Sequence, residues 1–161
     1  MFREPRSALP KVFIDPRVEI KESPVHGWGG YAKEDIESHV IIESAPVILC
    51  HHSIMDALHE MNQVRHIMQD YPFGWKDGMI AYAMGWAAVY NHKRENNCNW
   101  KPNFEYNTLE FTTKRKILAG EEIFVRYVPL QKVGYLWFED DEEVDTNLRT
   151  LEKLSSKKII F

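Results

Sequence analysis

Apolar and polar positions along the chain change period several times, and each change marks an element. "VFIDPRVEI" from Val12 to Ile20 alternates and breaks at Asp15-Pro16, which predicts a short pair of strands. "HGWGGYA" (His26–Ala32) reads as a glycine turn. "VIIESAPVILC" (Val40–Cys50) is rich in β-branched residues and predicts a strand, with Pro46 at an edge or a bend. From Ser53 to Met68 the spacing of Ile54, Leu58, Met61, Val64 and Ile67–Met68 gives one apolar stripe, so a helix is expected, with Ser53 and Asp56 as a capping pair. "YPFGWKDG" (Tyr71–Gly78) reads as a loop. "MIAYAMGWAAVY" (Met79–Tyr90) is buried and fits either a helix or a strand. "TLEFTTKRKI" alternates as a strand, "LAGEE" turns, and "IFVRYV" is a second strand. Residues 1–10 read as a loose arm. The tail carries an acidic run from Glu139 to Asp145, overlapping a helix with Val144, Leu148, Leu151 and Leu154 on one face.

Length and composition fit one globular domain, which the pattern above makes mainly β with a few helices. At 161 residues, 44% hydrophobic, the chain is long enough to bury a core unaided. A net charge of −4 argues against a general nucleic-acid binder. No apolar stretch reaches membrane-spanning length and the N-terminus lacks a signal-peptide core, so a soluble, intracellular protein is expected. Its two cysteines, Cys50 and Cys98, fit a reducing compartment rather than a disulfide framework.

Two familiar site patterns fit poorly. "GWGGYA" matches a variant dinucleotide fingerprint, but that motif must open a helix. Here "KEDIESHVIIESAP" follows, which is poor helix material, so a tight turn between strands is the better reading. Cys50, His51, His52, His92 and Cys98 lack the paired two-to-four-residue spacing of a zinc site. Cys50, ending an apolar strand, reads as a small core residue, and His52, His59 and His66 as rim positions beside the helix stripe. No hydrolase or kinase signature appears.

Three separated pieces, taken in order, resemble the motifs of the SET-domain protein lysine methyltransferases. They are "HGWGGYAKEDI", "YNHKRENNCNW" and "ILAGEEIFVRY", covering about residues 18 to 128. The resemblance implies an α+β, β-clip architecture of small sheets with a threaded, pseudoknot-like C-terminal segment. It implies an arm and first strand over 1–17, a catalytic domain over 18–128, and a tail over 129–161 whose helix packs on that domain. The implied activity is methyl transfer from S-adenosylmethionine to a protein lysine, leaving S-adenosylhomocysteine, without a metal. Small stand-alone proteins of this kind occur in bacteria and viruses.

The resemblance also assigns residues. Tyr127 matches the catalytic tyrosine. Gly27, Trp28, Gly29, Asn91 and His92 match cofactor contacts. Trp100, Tyr90 and Tyr82 are expected to line the channel for the substrate lysine, with ordinary core packing the other reading of Trp100. Trp28, Tyr31, Tyr82, Tyr90, Trp100 and Tyr127 together suit a narrow aromatic slot. Asn97 falls on the family's Pro-Asn asparagine. Lys93 stands where serine is usual, Asn96 where proline is, Ser38-His39 where a glycine is, and Val128-Pro129 where glycine and an aromatic are. No cysteine triplet follows, so the zinc-binding module that covers the cofactor in relatives is missing, and Tyr135, Trp137 or Phe138 is expected to take over that role. The substrate is expected to be a protein, histone or not, with no nucleic-acid or membrane partner; the location is cytoplasmic or host-cell, with the nucleus left open. The alternative is a non-catalytic binding module on the same fold, which Lys93 and the altered segment after Tyr127 favour.

Overall fold

A computed structural model describes residues 12–62, 68 and 71–127. The helix stripe beyond Asn62 (apart from Met68), the arm, the acidic run, the tail helix and Trp137 lie outside the described residues.

The described residues open with two short strands where a pair was expected, β1 (Phe13–Ile14) and β2 (Val18–Glu22), but they join different sheets. Asp15 makes the break, its carboxylate accepting from the backbone and guanidinium of Arg17. The "glycine turn" proves to be mostly strand. Only Gly27 turns, at φ 50°, and Trp28–Ala32 forms β3. Extended backbone is as open to glycine as to any residue, so glycine content alone overstated the turn. His39 holds the left-handed conformation at φ 62°, a strain of about 1–2 kcal/mol for an L-residue.

β4 (Ile41–His51) is the organising strand. Its first half pairs with β9 (Thr108–Thr113) on one edge and with β1 on the other, and its second half with β6 (Met79–Ala83). Pro46 sits where β9 ends and β6 begins, so a residue without an N–H interrupts no ladder, and its carbonyl accepts from Met84. β5 (Pro72–Gly74) lies inside the predicted loop and pairs with β6, while β8 (Cys98–Asn103) closes the other edge against β9. The ambiguous 79–90 stretch resolves into β6 and a 3-10 turn, Trp86–Ala88.

The second sheet runs β2-β3-β10-β7, with β10 at Glu122–Val125 and β7 at Asn91–His92. Ile42, Phe111, Leu109, Ile117, Ile123 and Val125 fill the core between the sheets. The helix α1 (Ser53–Asn62) leaves Ile54 exposed, and the Ser53 hydroxyl is engaged by His51 rather than by a capping partner. Cys98, not Cys50, is the core cysteine.

Candidate active site

The apolar run 79–90 stops at Asn91-His92 because these two residues enter the second sheet. They pair in parallel with Phe124 and Val125, joining segments more than thirty residues apart. So short a ladder is weak alone, and side chains reinforce it. Asn97 imitates a neighbouring strand: its Nδ2 donates to the Glu122 carbonyl at 2.7 Å and its Oδ1 accepts from the Phe124 N–H at 2.8 Å. His92 Nδ1 accepts from the Tyr127 N–H at 3.1 Å, and Trp100 Nε1 donates to the Arg126 carbonyl at 3.0 Å. The C-terminal strand is thereby held against the 91–100 segment. Lys93 donates its N–H to the Val125 carbonyl and lays its ammonium over the Phe124 ring.

Beside this junction, a carboxyl gathers three strands. Glu122 Oε1 accepts from Asn91 Nδ2 at 2.8 Å, and its Oε2 accepts from Ser23 Oγ at 3.0 Å and from the Tyr31 hydroxyl at 2.9 Å. Asn91 spends its other amide hydrogen on the Trp28 carbonyl. Gly29 lies between: a Cβ there would stand 2.2 Å from Glu122 Oε1 and 3.2 Å from Asn91 Nδ2. At Gly27 a Cβ would meet nothing within 4 Å, so the backbone of this turn faces open space, and Trp28 beside it is exposed. Gly27, Trp28, Gly29, Asn91 and His92 thus come together.

Tyr90 and Tyr127 also line a cleft, together with Tyr71, Pro72, Phe73, Ala87 and Ala88, with about 360 Å³ of empty space including its open mouth. The Tyr127 hydroxyl donates to the Tyr90 carbonyl at 2.8 Å. Burial, assisted by Tyr71 and Glu122, pushes its pKa up to about 12, so it is a neutral phenol at physiological pH. No acidic residue appears among the described residues lining the cleft.

The three residues expected to line the lysine channel are placed differently around this cleft. Tyr90 is on the wall. Trp100 stands behind it, edge-on to Phe73 with centroids 4.9 Å apart. Tyr82 is outside the lining, its hydroxyl on the Met68 carbonyl. Ala81 and Ala83 face the core, so strand alternation turns Tyr82 to the opposite face. Tyr31 belongs to the Glu122 network, not the slot. Sequence reasoning missed Tyr71 and Phe73, which sat in the presumed loop, and Ser23 and Glu122, for which the only signal was the adjacent glycine-rich strand.

Among the described residues, no group of three or more His, Cys, Asp or Glu side chains is placed to hold a metal, and no helix is long and apolar enough to cross a membrane.

The SET domain family model matches residues 27–128. A Schizosaccharomyces pombe histone-lysine N-methyltransferase, H3 lysine-37 specific, is 28% identical over 124 residues, covering 77% of this chain and 78% of the relative. The fold is similar to a Plasmodium falciparum protein solved as a candidate histone methyltransferase, at TM-score 0.56 and 21% identity, over 78% of this chain and all of that one. It is also similar to a chain of a humanized mutant of the Chaetomium thermophilum Polycomb Repressive Complex 2, at TM-score 0.57 and 22% identity, over 71% of this chain and 15% of that one. The family match spans every strand from β3 to β10, and with it the junction of Asn91, His92 and Tyr127: the chain belongs to the SET-domain family and is a protein-lysine methyltransferase.

Proposed function

We propose that the methyl donor is S-adenosylmethionine, held by Gly27, Trp28, Gly29, Asn91 and His92, and that the acceptor lysine of a protein enters the cleft beside Tyr127. The open backbone at Gly27, with the Asn91 amide fixing the Trp28 carbonyl beside it, suits a zwitterionic, nucleoside-bearing ligand. When bound, that donor supplies an electrophilic methyl group on a positively charged sulfur.

The protein's own part is alignment and control of the amine's proton. A free lysine has pKa about 10.4, so its neutral form lies roughly 4–5 kcal/mol uphill at pH 7. Tyr71, Phe73, Tyr90 and the two alanines surround it with apolar surface, which penalises the ammonium. A carboxylate in the lining would pin the amine as a cation. Tyr127 donates its own hydrogen to the Tyr90 carbonyl, so the phenol turns its oxygen to the cleft as an acceptor for amine N–H or polarised methyl C–H groups. With its pKa near 12 it acts as a fixed neutral acceptor, not as a phenolate base.

The observation that carries this reading is the anchored neutral phenol on the wall of an aromatic cleft. The name of the fission-yeast relative makes histone H3 the first acceptor to assay. Incubating the protein with methyl-labelled S-adenosylmethionine and core histones, and separately with cell lysate, should place label on lysine. Prior acetylation of the lysines should abolish it. A protein that binds the donor yet labels no lysine in either pool overturns the proposal.

A further inference from the structure

β4 carries a carboxyl group, Glu43, into the middle of the core, where it is fully buried. The segment 85–90 closes around it. Glu43 Oε2 accepts from the Tyr90 hydroxyl at 2.6 Å, Oε1 accepts from the Ala87 N–H at 3.1 Å, and the Trp86 backbone also donates to the carboxyl. Gly85, at φ 94°, is tailored to it, since a Cβ there would stand 2.6 Å from Oε1. Every one of these partners is a donor, an arrangement that suits a carboxylate rather than a carboxylic acid.

The same segment supplies the cleft. Ala87, Ala88 and Tyr90 form its wall, and the Tyr90 carbonyl anchors the Tyr127 hydroxyl. We infer that Glu43 is a positioning residue for methyl transfer, fixing the 85–90 wall and, through Tyr90, the orientation of the Tyr127 phenol. This rests on the proposed role of Tyr127.

Burial raises the Glu43 pKa to about 7, against the opposing bonds from Tyr90, Ala87 and Trp86. The groups facing it do not titrate near there. Tyr90 and Cys98 keep their protons, both raised by burial first and by Glu43 second. Asp15, beyond Tyr90, is held low by its bond to Arg17. β9 and β1 place Phe111 and Ile14 opposite Glu43, and Glu110 faces away with Lys101. Protonation would turn one Glu43 oxygen into a donor facing the Tyr90 hydroxyl, so Tyr90 would have to turn its hydrogen away.

The full chain labelled with 13C at the tyrosine ζ-carbons gives a readout independent of turnover, with Tyr127 assigned by Y127F. Its resonance should step between about pH 5 and pH 9, with a midpoint near 7, in wild type. The step should vanish in E43Q and in Y90F, two variants that cut the chain at different links. In kinetics with S-adenosylmethionine and a lysine acceptor, kcat should fall below pH 7 by about tenfold per unit beyond the fall due to the amine itself. E43Q should lack that added limb while its KM for the donor stays within about twofold. A wild-type limb that persists in E43Q, or a Tyr127 resonance without the step, overturns the assignment even if methyl transfer is normal. A step lost in E43Q and Y90F, in a protein that methylates nothing, upholds the coupling and removes the proposed function instead.

Discussion

Glu122 and Glu43 are both buried carboxyl groups, and they are buried in opposite ways. Glu122 is approached by side chains of neighbouring strands and loops, Ser23, Tyr31 and Asn91, and lies against the Gly29 backbone. Glu43 is approached by two backbone N–H groups and one phenol, and is sealed from the cleft by the residues that it holds. On the proposed reading, the difference follows from the two reactants. A positively charged donor tolerates an acidic group beside its cradle. An amine that must lose its proton does not, so the carboxyl organising that half works from behind a wall. Polar side chains shape one half and aromatic surface shapes the other, and the bond from the Tyr127 N–H to His92 ties the two together.

The sharpest way to break the comparison is to damage only the donor half. Gly29→Ala forces a methyl group into the Glu122–Asn91 contact. The expected result is a rise in the dissociation constant for S-adenosylmethionine of about 30–100-fold, or about 2–3 kcal/mol, by titration calorimetry. Unchanged affinity would detach the Glu122 network from donor binding.

The next effect is on stability and belongs to the other carboxyl. Glu43 holds its proton more tightly folded than unfolded, with a pKa of about 7 against an ordinary 4.5. Its contribution to stability is therefore full below about pH 4.5 and is lost as pH rises to about 7. Glu43→Gln removes the titration, so its stability relative to wild type should improve between pH 5 and pH 8 by about 2–3 kcal/mol in urea unfolding. Parallel pH profiles for the two proteins would show that Glu43 is not desolvated. The smallest effect is expected at Trp100, which supports Phe73 from behind. Trp100→Phe loses the bond to Arg126, costing about 1 kcal/mol of stability, while turnover stays within about threefold. A tenfold or greater loss of turnover would move Trp100 into the channel.

What the sequence makes legible follows from what leaves a periodic or chemical trace. β9 shows because Leu109, Phe111 and Thr113 face inward at period two. The Asn91-His92 pair and Tyr127 show because polar residues ending an apolar run, and a tyrosine closing a strand, sit in a recognisable order. β5 does not show, because three residues framed by proline and glycine carry no period. Tyr71 and Phe73 were hidden with it. Glu43 and Glu122 do not show either, since a carboxylate in a strand normally marks a solvated face. Only their partners betray them, Gly85 and Gly29, which have no room for a side chain.

On the proposed function, the Tyr127 hydroxyl, anchored on the Tyr90 carbonyl, orients the amine during transfer. Single-turnover methylation by wild type and Tyr127→Phe, at saturating S-adenosylmethionine and acceptor, tests it most directly. The variant's rate constant should be lower by more than about tenfold, at least ~1.4 kcal/mol of transition-state stabilisation, with donor affinity unchanged. A variant that transfers methyl at the wild-type rate would contradict it.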